Sequence, residues 1–181
     1  MKAIFLDRDG VINKYPGDTK YVASWEEFRF LPRSKKAIAE LHRNGFKIFV
    51  VSNQAGVGKG LFSQDALDKI TSNMLKEIKK AHGKIDAVYY CTHRQDENCP
   101  CRKPKAGLID LARQEHLIDT GHSFFIGDTI RDVHTAKGAG CKSILVLSGR
   151  EKLSNQKAWE SQPDFVFKDL FEAVKSILKQ K

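Results

Sequence analysis

The chain has 181 residues, enough for one domain with a buried core and too few for two domains of ordinary size. Its content of 41% hydrophobic and 29% charged residues is that of a globular protein, and no apolar run approaches the roughly 18 residues that span a bilayer. Length and composition therefore predict a single domain over residues 1–181 and exclude a transmembrane helix.

The formal net charge of +9 suits an anionic partner, such as a phosphorylated metabolite, a nucleic acid or an anionic lipid. The lysines stand at helical spacing, as in KEIKKAHGK and KSILKQK, without interleaved aromatic residues. We therefore interpret them as solvated helix faces and expect neither a nucleic acid nor a membrane as partner. The start MKAIFLDRDG places carboxylates where a signal peptide would continue its apolar stretch, which predicts a cytoplasmic protein with reduced cysteines.

Short apolar runs alternate with helical patterns along the chain, which predicts an α/β protein with a parallel sheet between two layers of helices, a Rossmann-like fold. Strands are predicted over 3–7, 47–53, 86–91, 123–128, 143–147 and 165–167, and helices over 33–44, 64–81, 106–117, 131–138 and 169–179. Ser63 is a favourable N-cap for the second helix, and Gly45 is a stop signal for the first. The first four strands are apolar and end in polar residues, a pattern typical of strands buried on both faces.

Polar clusters follow these four strands at their carboxyl ends. The clusters are Asp7-Arg8-Asp9-Gly10, Ser52-Asn53-Gln54, Arg102-Lys103-Pro104 after the loop of the third strand, and Gly127-Asp128-Thr129 with Asp132 shortly beyond. Ligands of open α/β sheets bind at the carboxyl ends of the strands. We therefore expect these side chains to share one site.

The side chains in these clusters suit phosphoryl transfer. Several carboxylates make an oxygen-lined Mg²⁺ site, while Ser52, Lys103 and backbone N–H groups can hold the oxygens of a phosphate. A carboxylate can attack phosphorus once a metal and a lysine neutralise the repulsion, and a second carboxylate two residues away can act as general acid and later as base. Each motif is weak alone, but four of them in this order indicate a phosphatase site.

The stretch CTHRQDENCPCRKP, residues 91–104, holds three cysteines and a histidine. Its spacing fits a tetrahedral zinc site formed by Cys91, His93, Cys99 and Cys101. Four protein ligands leave no open position, so the zinc would be structural and would fix Arg102 and Lys103 over the phosphate site. Cys141 lies outside the set, and we interpret it as a buried apolar residue.

The segments FLDRDGVIN, VVSNQAGVGKG, CRKPKAGLI and FIGDTIRDVHTAKGAG resemble the four motifs of the haloacid dehalogenase (HAD) superfamily of phosphatases. The subfamily that they resemble contains histidinol phosphatases and D-glycero-D-manno-heptose-1,7-bisphosphate phosphatases, and the Cys-Pro-Cys-Arg-Lys-Pro segment is the most specific part. The likeness runs from residue 3 to about 148. It implies a HAD-like fold and a Mg²⁺-dependent phosphatase that removes the 7-phosphate of the heptose bisphosphate through an aspartyl-phosphate intermediate.

The resemblance also implies a role for each site residue. Asp7 would be the nucleophile, and Asp9 would protonate the leaving oxygen and then activate water. Mg²⁺ would be held by Asp7, the backbone carbonyl of Asp9 and Asp128, with Asp132 supporting the metal site through hydrogen bonds. Ser52 and Lys103 would steady the phosphoryl group, Arg102 would contact the substrate, and Asn53, Gln54 and Ala55 would line its pocket.

Too few residues separate the motifs for the cap domain that large members of this superfamily insert. The resemblance therefore implies an open site, with specificity in loops 14–20, 53–60 and 94–103. Histidinol phosphate is the alternative substrate, and a nucleic-acid 3′-phosphatase or a non-catalytic zinc-binding module are two further alternatives. The sequence does not choose between anomers, and we expect a monomer that acts on a small phosphorylated sugar.

Overall fold

The computed structural model describes residues 1–179, and a six-stranded parallel sheet lies at its centre. The strands are β1 (Ala3–Leu6), β2 (Lys47–Asn53), β3 (Ala87–Cys91), β4 (Phe124–Gly127), β5 (Lys142–Val146) and β6 (Phe165–Phe167). Their order is β3-β2-β1-β4-β5-β6, and all five neighbouring pairs are parallel. The chain therefore reverses its direction of winding next to β1, which places the ends of β1, β2 and β4 side by side.

Helices cover both faces of this sheet, as predicted. They are α1 (Ser34–Arg43), α2 (Gln64–Lys80), α3 (Gly107–His116), α4 (Ile130–Gly138) and α5 (Leu170–Lys179). One core contains residues of α1, α2 and α5, and the other contains residues of α3 and α4. The three-layer α/β prediction is confirmed, and no bound of a predicted strand or helix differs by more than one residue. No helix within residues 1–179 combines the length and the apolarity that crossing a bilayer requires.

Local signals explain where the helices begin and end. The hydroxyl of Ser63 accepts a hydrogen bond from the Ala66 backbone N–H, which satisfies one of the free donors at the start of α2. Gly45 follows α1 with φ +79°, a left-handed conformation that a side chain would disfavour. Both positions were predicted from residue type alone.

The third strand differs from the prediction that it is buried on both faces. β3 lies at the edge of the sheet, and Ala87, Val88 and Tyr90 are only half-buried, whereas every residue of β1 is buried. An apolar edge strand and a central strand can have the same pattern of residue types, because that pattern does not depend on how many neighbouring strands there are. The ring of Tyr90 packs near the guanidinium of Arg8, with Cζ 5.8 Å from the ring centroid.

Candidate active site

A cavity of about 170 Å³ opens at the carboxyl edge of the sheet. The predicted site residues that line it are Asp7, Asp9, Ser52, Asn53, Ala55, Arg102, Lys103, Asp128 and Asp132. Loop 14–20 contributes Tyr15, Pro16 and Lys20 to the rim. The structure therefore brings together residues from all four predicted clusters.

Lys103 forms the centre of the charged network in this cavity. Its Nζ lies 3.0 Å from Oδ2 of Asp7 and 2.5 Å from Oδ1 of Asp132. The side chain of Asn53 holds the backbone of Lys103, because its Nδ2 donates to the Lys103 carbonyl and its Oδ1 accepts from the Lys103 N–H, each at 3.1 Å. Asn53 was predicted to line the substrate pocket, and the structure adds this second contact.

Asp132 is oriented by the start of α4. Its Oδ2 accepts hydrogen bonds from the backbone N–H and the hydroxyl of Thr129, at 3.0 and 2.7 Å. The Thr129 hydroxyl in turn accepts from the Asp132 N–H, which completes a capping box. This arrangement leaves Oδ1 of Asp132 for Lys103, so Asp132 holds the lysine through a hydrogen bond. Its role in supporting a metal site stays a prediction.

Burial changes the acidities of these groups. Desolvation, opposed by the charge of Lys103, raises the pKa of Asp7 to about 6. Desolvation, reinforced by Asp7 and Asp132, also raises the pKa of Asp128 well above its ordinary value. Burial disfavours the charge of Lys103, but the carboxylates of Asp132 and Asp7 outweigh it and raise the lysine pKa.

These acidities and distances fit a divalent cation. Oxygens of Asp7, Asp128 and Asp132 all lie within 4.8 Å of one another. When ionised, these three carboxylates and Lys103 carry a net charge of −2, from 3 negative charges and 1 positive charge. The backbone packs tightly here: a Cβ on Gly10, where φ is +84°, would lie 2.2 Å from Oδ2 of Asp128. Hard oxygen ligands of this kind match Mg²⁺, which keeps waters for its other positions.

Asp128→Asn is expected to stabilise the metal-free protein. The amide retains an oxygen for the Arg150 backbone N–H, which donates to Oδ2 at 2.8 Å, and it removes a buried charge. Because the folded pKa values of Asp7 and Asp128 are raised, the folded state binds more protons than the unfolded state, so the stability that these groups contribute at low pH is lost as the pH rises. For Asp7 this loss is complete once the pH passes about 6, and for Asp128 it extends to the raised pKa of that carboxyl. In EDTA at neutral pH, the melting temperature should rise by about 2–4 °C, or ~1 kcal/mol, and Mg²⁺ should no longer raise it further.

Asp68→Asn, on the exposed face of α2, is the matched control and should leave both the melting temperature and the Mg²⁺ response unchanged. A metal-free Asp128→Asn variant that melts below the wild type would contradict this account of the cluster.

The four predicted zinc ligands also converge. Sγ of Cys101 lies 3.1 Å from Sγ of Cys91, 3.4 Å from Sγ of Cys99 and 3.2 Å from Nδ1 of His93. Burial, followed by hydrogen bonds from the neighbouring thiols, raises the pKa of Cys101 to about 12, so a metal would have to displace a proton there. The donor set and its spacing are compatible with one tetrahedral zinc ion. Cys141 lies apart from this set and is buried, as predicted.

Gln54 is a correction to the predicted substrate pocket. Its side chain is 1% exposed and is absent from the cavity lining; Nε2 donates to Oδ2 of Asp9 at 2.9 Å and to Oγ of Ser52 at 3.2 Å. The Gln54 backbone N–H donates to the carbonyl of Cys91, at the end of β3. With the backbone held there, the side chain of Gln54 lies inside the protein, away from the cavity.

Two arginines at the cavity rim were not predicted from the sequence. Arg131 and Arg150 are exposed and line the cavity with Arg102 and Lys20. Arg131 immediately precedes Asp132 in a predicted motif, so its proximity to the site was available from the sequence. Arg150 follows β5, and only the position of β5 beside β4 shows that its loop reaches the cavity.

Similarity to known proteins agrees with this site. Residues 100–173 match the family model described as HAD-hydrolase-like. The D-glycero-beta-D-manno-heptose-1,7-bisphosphate 7-phosphatase of Helicobacter pylori is 35% identical over 179 residues, covering 96% of this chain and 98% of that protein. The D-glycero-alpha-D-manno-heptose-1,7-bisphosphate 7-phosphatase of Campylobacter jejuni is 36% identical over 151 residues, covering 83% and 85%.

Solved structures of heptose bisphosphate phosphatases are also similar to this chain. The D,D-heptose 1,7-bisphosphate phosphatase of B. bronchiseptica, complexed with magnesium and phosphate, superposes with a TM-score of 0.92 at 33% identity and covers 100% of both chains. The D,D-heptose 1,7-bisphosphate phosphatase of Burkholderia thailandensis superposes with a TM-score of 0.73 at 29% identity, covering 98% of this chain and 99% of its own.

Proposed function

Since the chain belongs to the D-glycero-D-manno-heptose-1,7-bisphosphate 7-phosphatase family of HAD-like hydrolases, we propose that it removes the 7-phosphate of D-glycero-D-manno-heptose 1,7-bisphosphate. The observation that supports this most directly is the buried cluster of Asp7, Asp128, Asp132 and Lys103 at the edge of the sheet. The cluster can bind a phosphoryl group and a divalent cation at the same time.

The first half of the proposed reaction transfers the phosphoryl group to the enzyme. A carboxylate oxygen of Asp7 attacks phosphorus, the bond from phosphorus to the sugar oxygen breaks, and Asp9 donates a proton to that oxygen. Lys103 and Ser52 stabilise the charge on the phosphoryl oxygens, and Lys103 is already 3.0 Å from the nucleophile.

The second half returns the enzyme to its starting state. Water attacks phosphorus, the bond to Asp7 breaks, and the proton of the water passes to Asp9. Asp7, the Asp9 backbone carbonyl and Asp128 would hold Mg²⁺, which supplies positive charge against the phosphate and lowers the repulsion that the Asp7 carboxylate meets.

The rim of the cavity supports a substrate with a second phosphate. Lys20, Arg102, Arg131 and Arg150 line the opening beyond the buried cluster. One of them, Arg150, is paired with Asp18 at 3.1 Å in loop 14–20. A guanidinium can bind a phosphate through two parallel hydrogen bonds, so these side chains favour a bisphosphate over a monophosphate.

Phosphate release from both anomers of the heptose bisphosphate tests the proposal, with histidinol phosphate as the competing substrate. Fast release from the heptose with Mg²⁺, lost on addition of EDTA, is the expected result. Release from histidinol phosphate alone would be consistent with the proposed reaction but would show that the proposed substrate is wrong. Binding of a single-stranded oligonucleotide at low salt would test the nucleic-acid alternative, and no binding is expected.

Arg131→Ala is expected to raise the KM for the heptose 1,7-bisphosphate by about tenfold, the loss of one charge-assisted hydrogen bond. The KM for the 7-monophosphate should stay unchanged, because the remote phosphate is absent from it. Arg113→Ala, an exposed arginine on α3, is the control. Equal changes for both substrates would show that Arg131 does not contact the second phosphate.

We also propose that the cluster of Cys91, His93, Cys99 and Cys101 holds a structural zinc ion. The support is the close approach of its four donor atoms and the polar, exposed character of the loop that joins them. Such a loop has few apolar contacts of its own, so metal ligands would supply its order. The next residues along the chain are Arg102 and Lys103, whose positions the ion would fix.

A further inference from the structure

The carboxylate of Asp9 is held by five hydrogen bonds from three side chains. Its Oδ1 accepts from Nε and Nη2 of Arg8, at 3.2 and 3.0 Å, and from Nδ2 of Asn13 at 2.8 Å. Its Oδ2 accepts from Nη2 of Arg8 at 3.0 Å and from Nε2 of Gln54 at 2.9 Å. Contacts on both oxygens fix the plane of a carboxylate as well as its position.

Burial of the Arg8 side chain is unfavourable for the stability of the fold. Its side chain is fully buried, its ion pair is with Asp9, and its Nη1 has no hydrogen-bond partner among residues 1–179. A buried ion pair contributes little net stability, and a well-packed apolar side chain often serves as well or better. The position of Arg8 is therefore better explained by what it does to Asp9.

Gln54 connects the same carboxylate to the rest of the site. Its Nε2 contacts Ser52 as well as Asp9, and its backbone N–H donates to the carbonyl of Cys91 at 2.7 Å. The orientation of Asp9 is thus tied to the ends of β2 and β3, since Ser52 lies in β2 and Cys91 is the last residue of β3.

We propose that Arg8 and Gln54 are positioning residues that fix the orientation of the Asp9 carboxylate toward the leaving oxygen and the attacking water. The inference rests on the proposed function, in which Asp9 transfers a proton in both half-reactions. Without the two side chains, Asn13 would still contact Oδ1, but Oδ2 would have no partner and the plane of the carboxylate could rotate. A misplaced proton-transfer group loses much of its effect.

A change of leaving group separates the two half-reactions. In 4-nitrophenyl phosphate, the bond from phosphorus to the aryl oxygen breaks to give a stable nitrophenolate, which needs no proton from Asp9. The water that cleaves the bond between Asp7 and phosphorus must still lose a proton to Asp9. A misoriented Asp9 should therefore slow hydrolysis of the aspartyl phosphate while sparing its formation.

The experiment compares Gln54→Leu and Arg8→Lys with the wild type on 4-nitrophenyl phosphate and on the heptose bisphosphate. On the aryl substrate, each variant should release a burst of nitrophenolate close to one equivalent, followed by turnover about 100-fold slower than the wild type. KM should fall with kcat, because the phosphoenzyme accumulates, while kcat/KM, which reports formation of the phosphoenzyme, should stay nearly unchanged. Acid-quenched variant protein should carry a phosphoryl group on Asp7. On the heptose bisphosphate, the burst should be absent and kcat should fall by about 100-fold.

Gln64→Leu, an exposed glutamine at the start of α2, is the control and should behave as the wild type. If burst and turnover fall together with the folded fraction, Arg8 and Gln54 are structural and the inference is wrong; unchanged turnover overturns it as well. If the wild-type protein hydrolysed the aryl substrate but not the heptose bisphosphate, the proposed substrate would be wrong. The roles of Arg8 and Gln54 could still be tested on the aryl substrate. Inactivity on both would remove the proposed function and the inference together.

Discussion

Asp7→Asn should abolish phosphate release, with a fall in kcat of at least about 10⁴-fold, because the amide is a poor nucleophile and no phosphoenzyme can form. The substitution preserves the shape of the side chain and leaves an oxygen 3.0 Å from Nζ of Lys103. The fold should therefore survive, and removal of a buried charge with a raised pKa should not lower the free energy of unfolding.

The measurement is steady-state phosphate release from the heptose bisphosphate, with acid-quenched mass measurement of the protein. The wild type should show a phosphoryl adduct on Asp7, and the variant none. Asp68→Asn, the exposed control on α2, should retain full activity. A variant that still turned over near the wild-type rate would require a different nucleophile.

If the proposed zinc ion is bound, Cys99→Ser should prevent its binding and destabilise loop 94–103. Structural zinc sites contribute on the order of 10 kcal/mol of binding free energy, which the folded loop would lose. Phosphate release should fall by about 100-fold, since a shift of Arg102 and Lys103 by ~1 Å is enough for such an effect. Cys99 is suited to the test because it is only half-buried, so the change opens no large cavity.

Metal analysis, thermal unfolding and phosphate release on the same sample provide the measurement. Cys141→Ala is the matched control: it removes the buried cysteine outside the cluster and should retain one zinc per chain. If Cys99→Ser lost zinc but kept full activity, the loop would not be what positions Lys103. A wild-type protein without zinc would refute the site itself.

Much of the fold could be predicted from the sequence because its signals are local. Apolar runs such as KIFVVSN and the N-cap at Ser63 depend on residues close together in the chain, and both lie where they were predicted. The edge position of β3 could not be predicted in this way. Val88 and Tyr90 are apolar or aromatic like residues of a central strand, and their partial exposure depends on the order of the strands.

Some residues of the site could be predicted from the sequence and others could not. Asp7 and Asp128 follow strands directly, so the geometry of a parallel sheet was enough to bring them together. The direction of the Gln54 side chain could not be predicted from the sequence, because its backbone N–H is bound to the carbonyl of Cys91, a residue 37 positions away. The position of Arg150 at the cavity could not be predicted either, because it depends on the order of the strands in the sheet.

The absence of a cap over the cavity, within the part of the chain that the structure describes, has a consequence for the fate of the phosphoenzyme. Closure of an active site excludes solvent and allows an enzyme to choose which acceptor receives a reactive group. Here the phosphoryl group on Asp7 would stay in contact with bulk solvent through an opening ringed by polar side chains. Water is the most abundant acceptor at such an opening, which favours hydrolysis over transfer to a sugar hydroxyl that no pocket holds in place.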